Sequence, residues 1–517
     1  MTQTAPAPVD RAVQEWLATF GATDADAASL LVDRQEPSAV AFTTVEVDGD
    51  RLIATNLTFG ELADASKRFA TALADLGIGR GDTVGVLMGK RSELVVSLLA
   101  IARLGAIYIP LFTAFAAPAI EMRLTAGGAR VVVTEPSQVD KLDGIDVTTI
   151  VAGDQFDGLV DGSVPLEQSV AVGGDGTLIL LFTSGTTGAP KGVPVPVRAL
   201  AAFSCYMTYG LDVSADDVFW NAADPGWAYG LYYGVLGPLA IGRPNILLHA
   251  GFSAALTARI LTELGVTNFA SAPTVYRTLS KDSSISGFSL RRASSAGEPL
   301  TPDVIDWARS ALGTEVRDHY GQTEHGMFIN NHWHDDVRVD VVPGSMGFPM
   351  PGYATGIVDG QIAIDVANSP LIFFTGYLDA PDKTAARFTE DGAWYLTGDT
   401  GRVDDDGRYF FTARDDDVII MAGYRIGPFD VESVLITHPS VVDVAVVGRP
   451  DELRGEVLEA FVVLGPDVDG SDALEAELQQ LVKTGFAAHA YPRTVHFVDE
   501  LPKTPSGKIQ RFLLRQR

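Results

Sequence analysis

Cysteine is almost missing from this chain: Cys205 stands alone among 517 residues. That excludes an intramolecular disulfide framework and any zinc or iron–sulfur site built from several cysteines. It suits a reducing compartment, and a cytoplasmic protein is expected. Basic residues are scarce too. Lys and Arg total 38 against 66 Asp and Glu, a formal net charge of −28, so neither nucleic acid nor an anionic membrane surface is an expected partner. An anionic ligand would have to be met by local cations. Long apolar runs are also missing. Leu94–Ala102 stops at Arg103, and 229–241 is broken by Gly230, Gly234, Gly237 and Pro238, so neither reaches the ~18 residues that spanning a bilayer takes. The start, MTQTAPAPVDRAVQEW, places no apolar run behind a basic end and predicts no secretory leader. No repeat of solenoid length is visible.

What is present is ordinary folded composition, 46% hydrophobic and 20% charged, in a chain long enough for several structural units. Helical and strand patterns alternate. Helical spacing runs over 58–76 and 92–104, and strand patterns over 83–87 and 131–134. The fold class is therefore α/β: a large N-terminal domain of layered sheets and helices in several subdomains. Near 412–428, TARDDDVIIMAGYRIGP packs acids, glycines and a proline between more regular regions. A boundary is expected at about Asp416, dividing the chain into 1–415 and 416–517. The last hundred residues predict helix 430–438, strands 441–448 and 459–464, helix 474–485 and strand 494–498, a small α+β C-terminal domain.

The apolar run TLILLF (177–182) leads into TSGTTGAPKG, with Thr183, Ser184, Thr186, Thr187, Gly185, Gly188, Gly192 and Lys191 in ten residues. Glycines let backbone N–H groups approach an oxyanion, hydroxyls add donors and the lysine supplies charge. A loop of this composition is also an ordinary surface connection. The Walker A spacing is absent, since Lys191 is followed by Gly192, so a P-loop NTPase is disfavoured.

Six further segments follow in order: SAGEPL (295–300), DHYGQTE (318–324), PGSMGFPMPG (343–352), YLTGD (395–399), ARDDDVIIMAGYRIGPFDVE (413–432) and PKTPSGKIQR (502–511). With TSGTTGAPKG they resemble the AMP-forming acyl-CoA synthetases, part of the adenylate-forming ligases, over nearly the whole chain. The resemblance implies activation of a carboxylic acid by ATP to acyl-AMP, then transfer of the acyl group to CoA, with Mg²⁺ as cofactor. It also implies that the C-terminal domain is mobile.

The roles it implies fall on particular residues. Thr183 to Gly188 and Lys191 would meet the ATP phosphates. Gly297, Glu298 and Pro299 would line one side of the adenine, Glu298 as a positional and not a catalytic group. Asp318, His319, Tyr320, Gly321 and Gln322 would complete the nucleotide site, with Tyr320 along the adenine, Thr323 at the α-phosphate and Glu324 on Mg²⁺. Taken alone, YGQTE is equally a strand end with a solvated Glu. Asp399 would accept the ribose hydroxyls, with Arg414 near the ribose and phosphates. Ala413 stands where the family usually has glycine. Asp416 matches the hinge between half-reactions, and Lys508 the lysine that the small domain brings in for adenylation. Gly423, Tyr424 and Arg425 would face the CoA arm.

For the acid, DPGWAYGLYYGVLGP (224–238) resembles the acyl-pocket helix, placing Trp227, Ala228 and Tyr229 in its wall. Acetate-specific relatives carry a tryptophan where this chain has Gly321, and often valine where it has Ala296. Both changes imply a carboxylate larger than acetate, a short-to-medium or branched fatty acid. VPVPV (193–197) stands where several relatives carry a histidine. Three alternatives stay open: an aryl or other carboxylate–CoA ligase, an enzyme handing acyl-AMP to an amine or carrier protein, and a nucleotide-binding protein without catalysis. A homo-oligomer and a lysine acetyltransferase acting on Lys508 are further expected partners.

Overall fold

The computed structural model describes residues 8–183, 190–282, 285–298, 300–414, 417–421, 424–451, 455–466, 468–487, 490–503 and 509–517. Ser184, Gly185, Thr186, Thr187, Gly188, Pro299, Asp416, Gly423 and Lys508, all singled out above, lie outside the described residues.

Short, mostly apolar strands form the first layer. Thr148–Val151, Val131–Thr134, Thr83–Leu87, Ile107–Leu111 and Thr177–Thr183 lie parallel in that spatial order, and Lys191–Pro196 closes one edge antiparallel. Apart from the edge strand Thr148–Val151, their residues are buried almost without interruption, as expected when both faces of a parallel sheet are covered. Pro194 and Pro196 sit on the edge strand, where a missing N–H leaves no ladder bond unmade. The predicted helices are found at Phe59–Asp75 and Ser92–Arg103. The first begins in a capping box, with the Thr58 side chain accepting from Glu61 N while Glu61 accepts from Thr58 N.

The second layer is a ten-stranded sheet. Phe219–Asn221, Asn268–Ser271, Arg292–Ala296 and Val316–Gln322 run parallel, then Gly326–Asn330 turns back antiparallel. Ser345–Pro349, Tyr409–Arg414, Trp394–Val403, Gln361–Asp365 and Thr355–Val358 complete it. A hairpin, Val40–Asp48 and Arg51–Thr58, pairs with Asn245–His249 as a third, small sheet. The parallel strands of both large sheets end where the loops singled out by sequence begin, the usual place for a ligand in α/β layers.

The chain from residue 417 onward carries its own core, built on Ile419, Val431, Leu435, Val446, Val462 and Leu478. The predicted elements are present as Pro428–Leu435, Val441–Asp451, Gly455–Leu464, Asp472–Gly485 and Thr494–Phe497. Arg511 fixes the terminal segment, its Nη2 giving bonds of 2.7 and 2.8 Å to both oxygens of Glu432. Lys503 Nζ lies 2.6 Å from Asp443 Oδ2, and Lys281 Nζ donates to the Val442 carbonyl at 3.2 Å. The chain flanking residue 508 is thus tied to the strand that meets Lys281, just after helix Pro273–Ser280. Among the described residues no helix is long and apolar enough to cross a membrane.

Candidate active site

Thr183 and Lys191 face each other across an antiparallel pair. The Lys191 ammonium sits 4.8 Å from the Tyr377 ring centroid. Tyr377 Oη donates to Glu324 Oε1 at 2.7 Å and accepts from Arg387 Nε at 3.0 Å. Partial burial first, and then the nearby Arg387, push the Lys191 ammonium below the usual lysine range. Burial works against the Arg387 charge as well, but Tyr395, Tyr377 and Glu324 hold the guanidinium above its ordinary value. Arg414 lowers the Lys191 ammonium further. Two cations beside the Glu324 carboxylate, with a third, Arg414, paired to Asp399, in a chain of net charge −28, are an arrangement that an anionic ligand would complete.

Asp399 is the second node. Its Oδ2 accepts from Tyr320 Oη at 2.6 Å and from Gln322 Nε2 at 2.7 Å. Its Oδ1 lies 3.1 Å from Arg414 Nε, because strands Trp394–Val403 and Tyr409–Arg414 pair Asp399 with Arg414 in register. Gly398, at φ +73°, permits the turn before Asp399, and a Cβ there would lie 2.7 Å from Arg387 Nη1. Arg387 uses that space to reach the Thr397 carbonyl at 3.1 Å. Ala413, buried in the adjoining strand, leaves this geometry unaffected.

Glu298 is spent on structure: Arg277 Nη2 holds it at 2.6 Å and Thr274 Oγ1 donates at 2.9 Å. It stands beside Gly297, just past the end of Arg292–Ala296. Asp318 lies at the matching end of the next strand. Its Oδ1 is buried without a partner among the described residues, and burial raises its carboxyl to about 8. Thr323 is partly exposed on the turn after Gln322, and its carbonyl takes the Tyr232 hydroxyl at 3.0 Å. Tyr424 and Arg425 belong to strand Tyr424–Ile426, whose backbone pairs them with Met421 and Ile420.

Two expectations need correction. The His319 imidazole is not free for a nucleotide: Nδ1 meets Tyr206 Oη at 2.6 Å and Nε2 meets the Asn331 carbonyl at 3.1 Å. Alternation along the strand turns it to the face opposite Asp318 and Tyr320, against the aromatic helices. Gly321 is not an emptied pocket position. A Cβ there would lie 2.1 Å from the Gly326 carbonyl oxygen, at a bulge in the hairpin between Val316–Gln322 and Gly326–Asn330. The backbone contact itself demands glycine, so the missing side chain gives no measure of pocket volume.

On the acyl side, Trp227, Ala228 and Tyr229 remain partly open while Leu231, Tyr232 and Tyr233 behind them are buried. Trp227 packs at 5.3 Å from both Phe112 and Phe115, and Arg123 lies 3.9 Å from the Phe115 ring centroid. Ala296 is buried at the end of its strand. The helix continues as a π turn, Tyr232–Leu236, a local widening common at functional sites.

Sequence reasoning missed Tyr377, Arg387, Tyr206 and the phenylalanines behind Trp227. Tyr377 and Arg387 sit in GYLDAPDKTAAR, where only the Gly-Tyr pair and a following arginine offered a signal. Glu324 is nearly buried, and no group of three or more His, Cys, Asp or Glu gathers among the described residues. A lone carboxylate that leaves most coordination positions to phosphate and water oxygens is how Mg²⁺ is commonly held, so the donor set fits that ion.

Residues 32–366 match the AMP-binding enzyme family and residues 430–508 the AMP-binding enzyme C-terminal domain. The chain is 36% identical over 490 residues to a Bacillus subtilis (strain 168) protein named acetyl-coenzyme A synthetase, covering 89% of this chain and 84% of that protein. A solved Brucella canis acyl-CoA synthetase is 44% identical, covers 99% of this chain and 97% of its own, and superposes with a TM-score of 0.76. An anthranilate CoA ligase solved in complex with anthranoyl-AMP is 28% identical, with a TM-score of 0.84 over 96% of this chain and 97% of that one. The chain belongs to the AMP-binding enzymes, and among them to the AMP-forming acyl-CoA synthetases, which are ligases.

Proposed function

We propose that this chain joins a carboxylic acid to CoA in two steps at one site. The observation that carries the reading is the convergence of Lys191, Arg387, Glu324, Asp399 and Arg414 from four separate stretches of sequence. In the first step a carboxylate oxygen attacks the α-phosphorus of ATP, forming acyl-AMP and releasing pyrophosphate. Lys191 and Arg387 offset the charge that gathers on the phosphates, and Lys508 is the cation between acid and α-phosphate. Mg²⁺ held by Glu324 neutralises phosphate charge when bound. Asp399 accepts from the ribose, Tyr320 lies along the adenine and Asp318 Oδ1 faces its amino group. In the second step the CoA thiol attacks the acyl carbonyl and AMP leaves. Domain 416–517 turns about Asp416 between the steps, presenting Gly423, Tyr424 and Arg425 on the CoA side. The Lys503–Asp443 and Lys281–Val442 contacts support an adenylation role for the 502–511 segment, since they tie it beside the helix that holds Glu298.

The acid we infer is a short-to-medium or branched one larger than acetate. Ala296 and the half-open Trp227–Tyr229 wall support this, whereas Gly321 no longer does. An aryl acid is the second reading, favoured by the edge-on and tilted Phe112–Phe115–Trp227 cluster, which suits a flat ring. A cytoplasmic location, a homo-oligomer and control through Lys508 acetylation remain part of the proposal. Purified protein with ATP, Mg²⁺ and CoA should release AMP with at least one acid from a C2–C12 and aryl panel. Release of no AMP with any of them would sink it. With CoA omitted, one adenylate per site should accumulate; undiminished turnover without CoA would instead indicate another acceptor.

A further inference from the structure

Behind the Trp227–Tyr229 wall lies a hydrogen-bonded row that the nucleotide chemistry does not use. Tyr229 Oη stands 3.1 Å from Tyr206 Oη, Tyr206 Oη 2.6 Å from His319 Nδ1, and His319 Nε2 3.1 Å from the Asn331 carbonyl oxygen. Tyr206 and His319 are fully enclosed, and Tyr206 lies on the π turn Tyr206–Gly210. Tyr229 is partly open, next to Ala228 and Trp227.

The direction of each bond follows from donor inventories. A carbonyl only accepts, so His319 Nε2 carries the ring's hydrogen. Burial pushes the imidazole down to about 3, which keeps it neutral with a single N–H. Nδ1 is therefore bare and takes the Tyr206 hydrogen. Tyr206, its hydrogen spent, can only accept from Tyr229. The Tyr229 hydrogen thus points inward, and its oxygen turns lone pairs outward. Among the described residues no protein group donates to that oxygen.

Resting on the ligase reading, we propose that Tyr229 Oη is a specificity-determining hydrogen-bond acceptor in the acyl pocket, and that the preferred acid carries an O–H or N–H donor on its tail or ring. Tyr206 and His319 are positioning residues that hold this polarity. A substrate donor satisfies the free lone pairs of that oxygen, whereas an ether, ketone or methyl group of the same size leaves them unpaired. Trp227 beside it supplies apolar contact for the remainder of the tail.

The test uses the full chain and matched acids: hydroxybenzoates against the corresponding methoxy- and methylbenzoates, and ω-hydroxy C4–C8 acids against plain acids one methylene longer. The readout is kcat/KM for AMP formation, taken as a ratio within each pair. Loss of folded enzyme lowers both numbers together and leaves the ratio unchanged. In the unmodified chain at least one pair should favour the donor by about five- to tenfold. Tyr229→Phe should bring that ratio close to one. Tyr206→Phe releases the Tyr229 hydrogen and should move preference toward the methoxy acid. Turnover of the panel without donor preference in any pair, or a preference that persists in Tyr229→Phe, overturns this inference alone. An unchanged ratio in Tyr206→Phe overturns the positioning role. If no acid yields AMP, the ligase reading fails and this inference with it.

Discussion

The proposed nucleotide and acyl sides of the site are built on opposite plans. On the nucleotide side, charged groups are tied by short polar contacts: Glu324 accepts from Tyr377, which accepts from Arg387, and Asp399 accepts from Tyr320 and Gln322 and forms an ion pair with Arg414. On the acyl side, aromatic rings pack edge-on or tilted around few polar groups, among them the Tyr229 hydroxyl and the Trp227 indole N–H. Charge recognition needs fixed donors at fixed distances, and the first side supplies them. Recognition of a hydrocarbon or ring needs volume and shape, and methylene discrimination is inherently shallow. Variants on the first side should therefore alter rate and metal or ATP dependence without re-ranking acids, and variants on the second should re-rank acids while sparing ATP.

The largest effect is expected from Lys508→Ala. Acyl-AMP formation, followed by pyrophosphate–ATP exchange, should fall by about a hundredfold or more. Thioester formation from supplied acyl-AMP should keep most of its rate. Equal loss in both steps would remove the half-reaction-specific role. Glu324→Gln comes next. It keeps the Tyr377 bond but removes the charge that attracts Mg²⁺, so the Mg²⁺ concentration for half-maximal rate should rise about ten- to a hundredfold. Tyr377→Phe, which keeps the ring beneath Lys191 and removes one bond to Glu324, should shift it by about tenfold at most. A rate loss in either variant with no change in Mg²⁺ dependence would contradict the assignment.

The same division explains what could be read from sequence. Short-range patterns announced Thr83–Leu87, Ser92–Arg103 and most elements after residue 424, because apolar periodicity and local turns encode them. Residues of the nucleotide side were legible because each sits in a short motif whose chemistry is local: YGQTE holds Tyr320 and Glu324, and YLTGD holds Asp399. Arg387 and Tyr377 were not, since nothing in GYLDAPDKTAAR distinguishes a phosphate-side arginine from a solvated one until the fold folds it against Glu324. On the acyl side almost nothing was legible. Tyr206, Tyr229 and His319 are separated by 23 and 113 residues along the chain measured from Tyr206, and their meeting depends on helix packing. Gly321 misled because its role is set by Gly326 across the hairpin, a contact no local pattern encodes.

Asp318 sharpens the nucleotide side through stability. A free aspartate titrates near ~3.9, whereas burial raises the folded carboxyl to about 8. Between those values the folded state binds the extra proton, so this group's contribution to stability falls as pH rises from about 4 to about 8 and is level above that. Asp318→Asn removes the titration while keeping size and the bond from Leu300 N. Relative to the unmodified chain it should gain about 4 kcal/mol more at pH 8 than near pH 4.5, measured as the difference in Tm at the two pH values. The same Tm difference at both would show that the carboxyl titrates normally.

Trp227→Phe should give the smallest change and bears most directly on the contrast between the two sides. Trp227 is held by Phe112 and Phe115, both 5.3 Å from its ring, so a phenyl group at position 227 should keep the stack and leave a gap where the second indole ring lay. A longer or bulkier acid can fill that gap, and each methylene moved out of water there contributes about 0.8 kcal/mol, roughly a fourfold gain in kcat/KM. The optimum of a chain-length series should therefore move upward by one or two carbons while KM for ATP and the Mg²⁺ dependence stay unchanged, because no bond of the Glu324 or Asp399 clusters reaches Trp227. If the acid ranking stayed fixed while KM for ATP rose, Trp227 would belong to the nucleotide side and the division drawn between the two walls would be wrong.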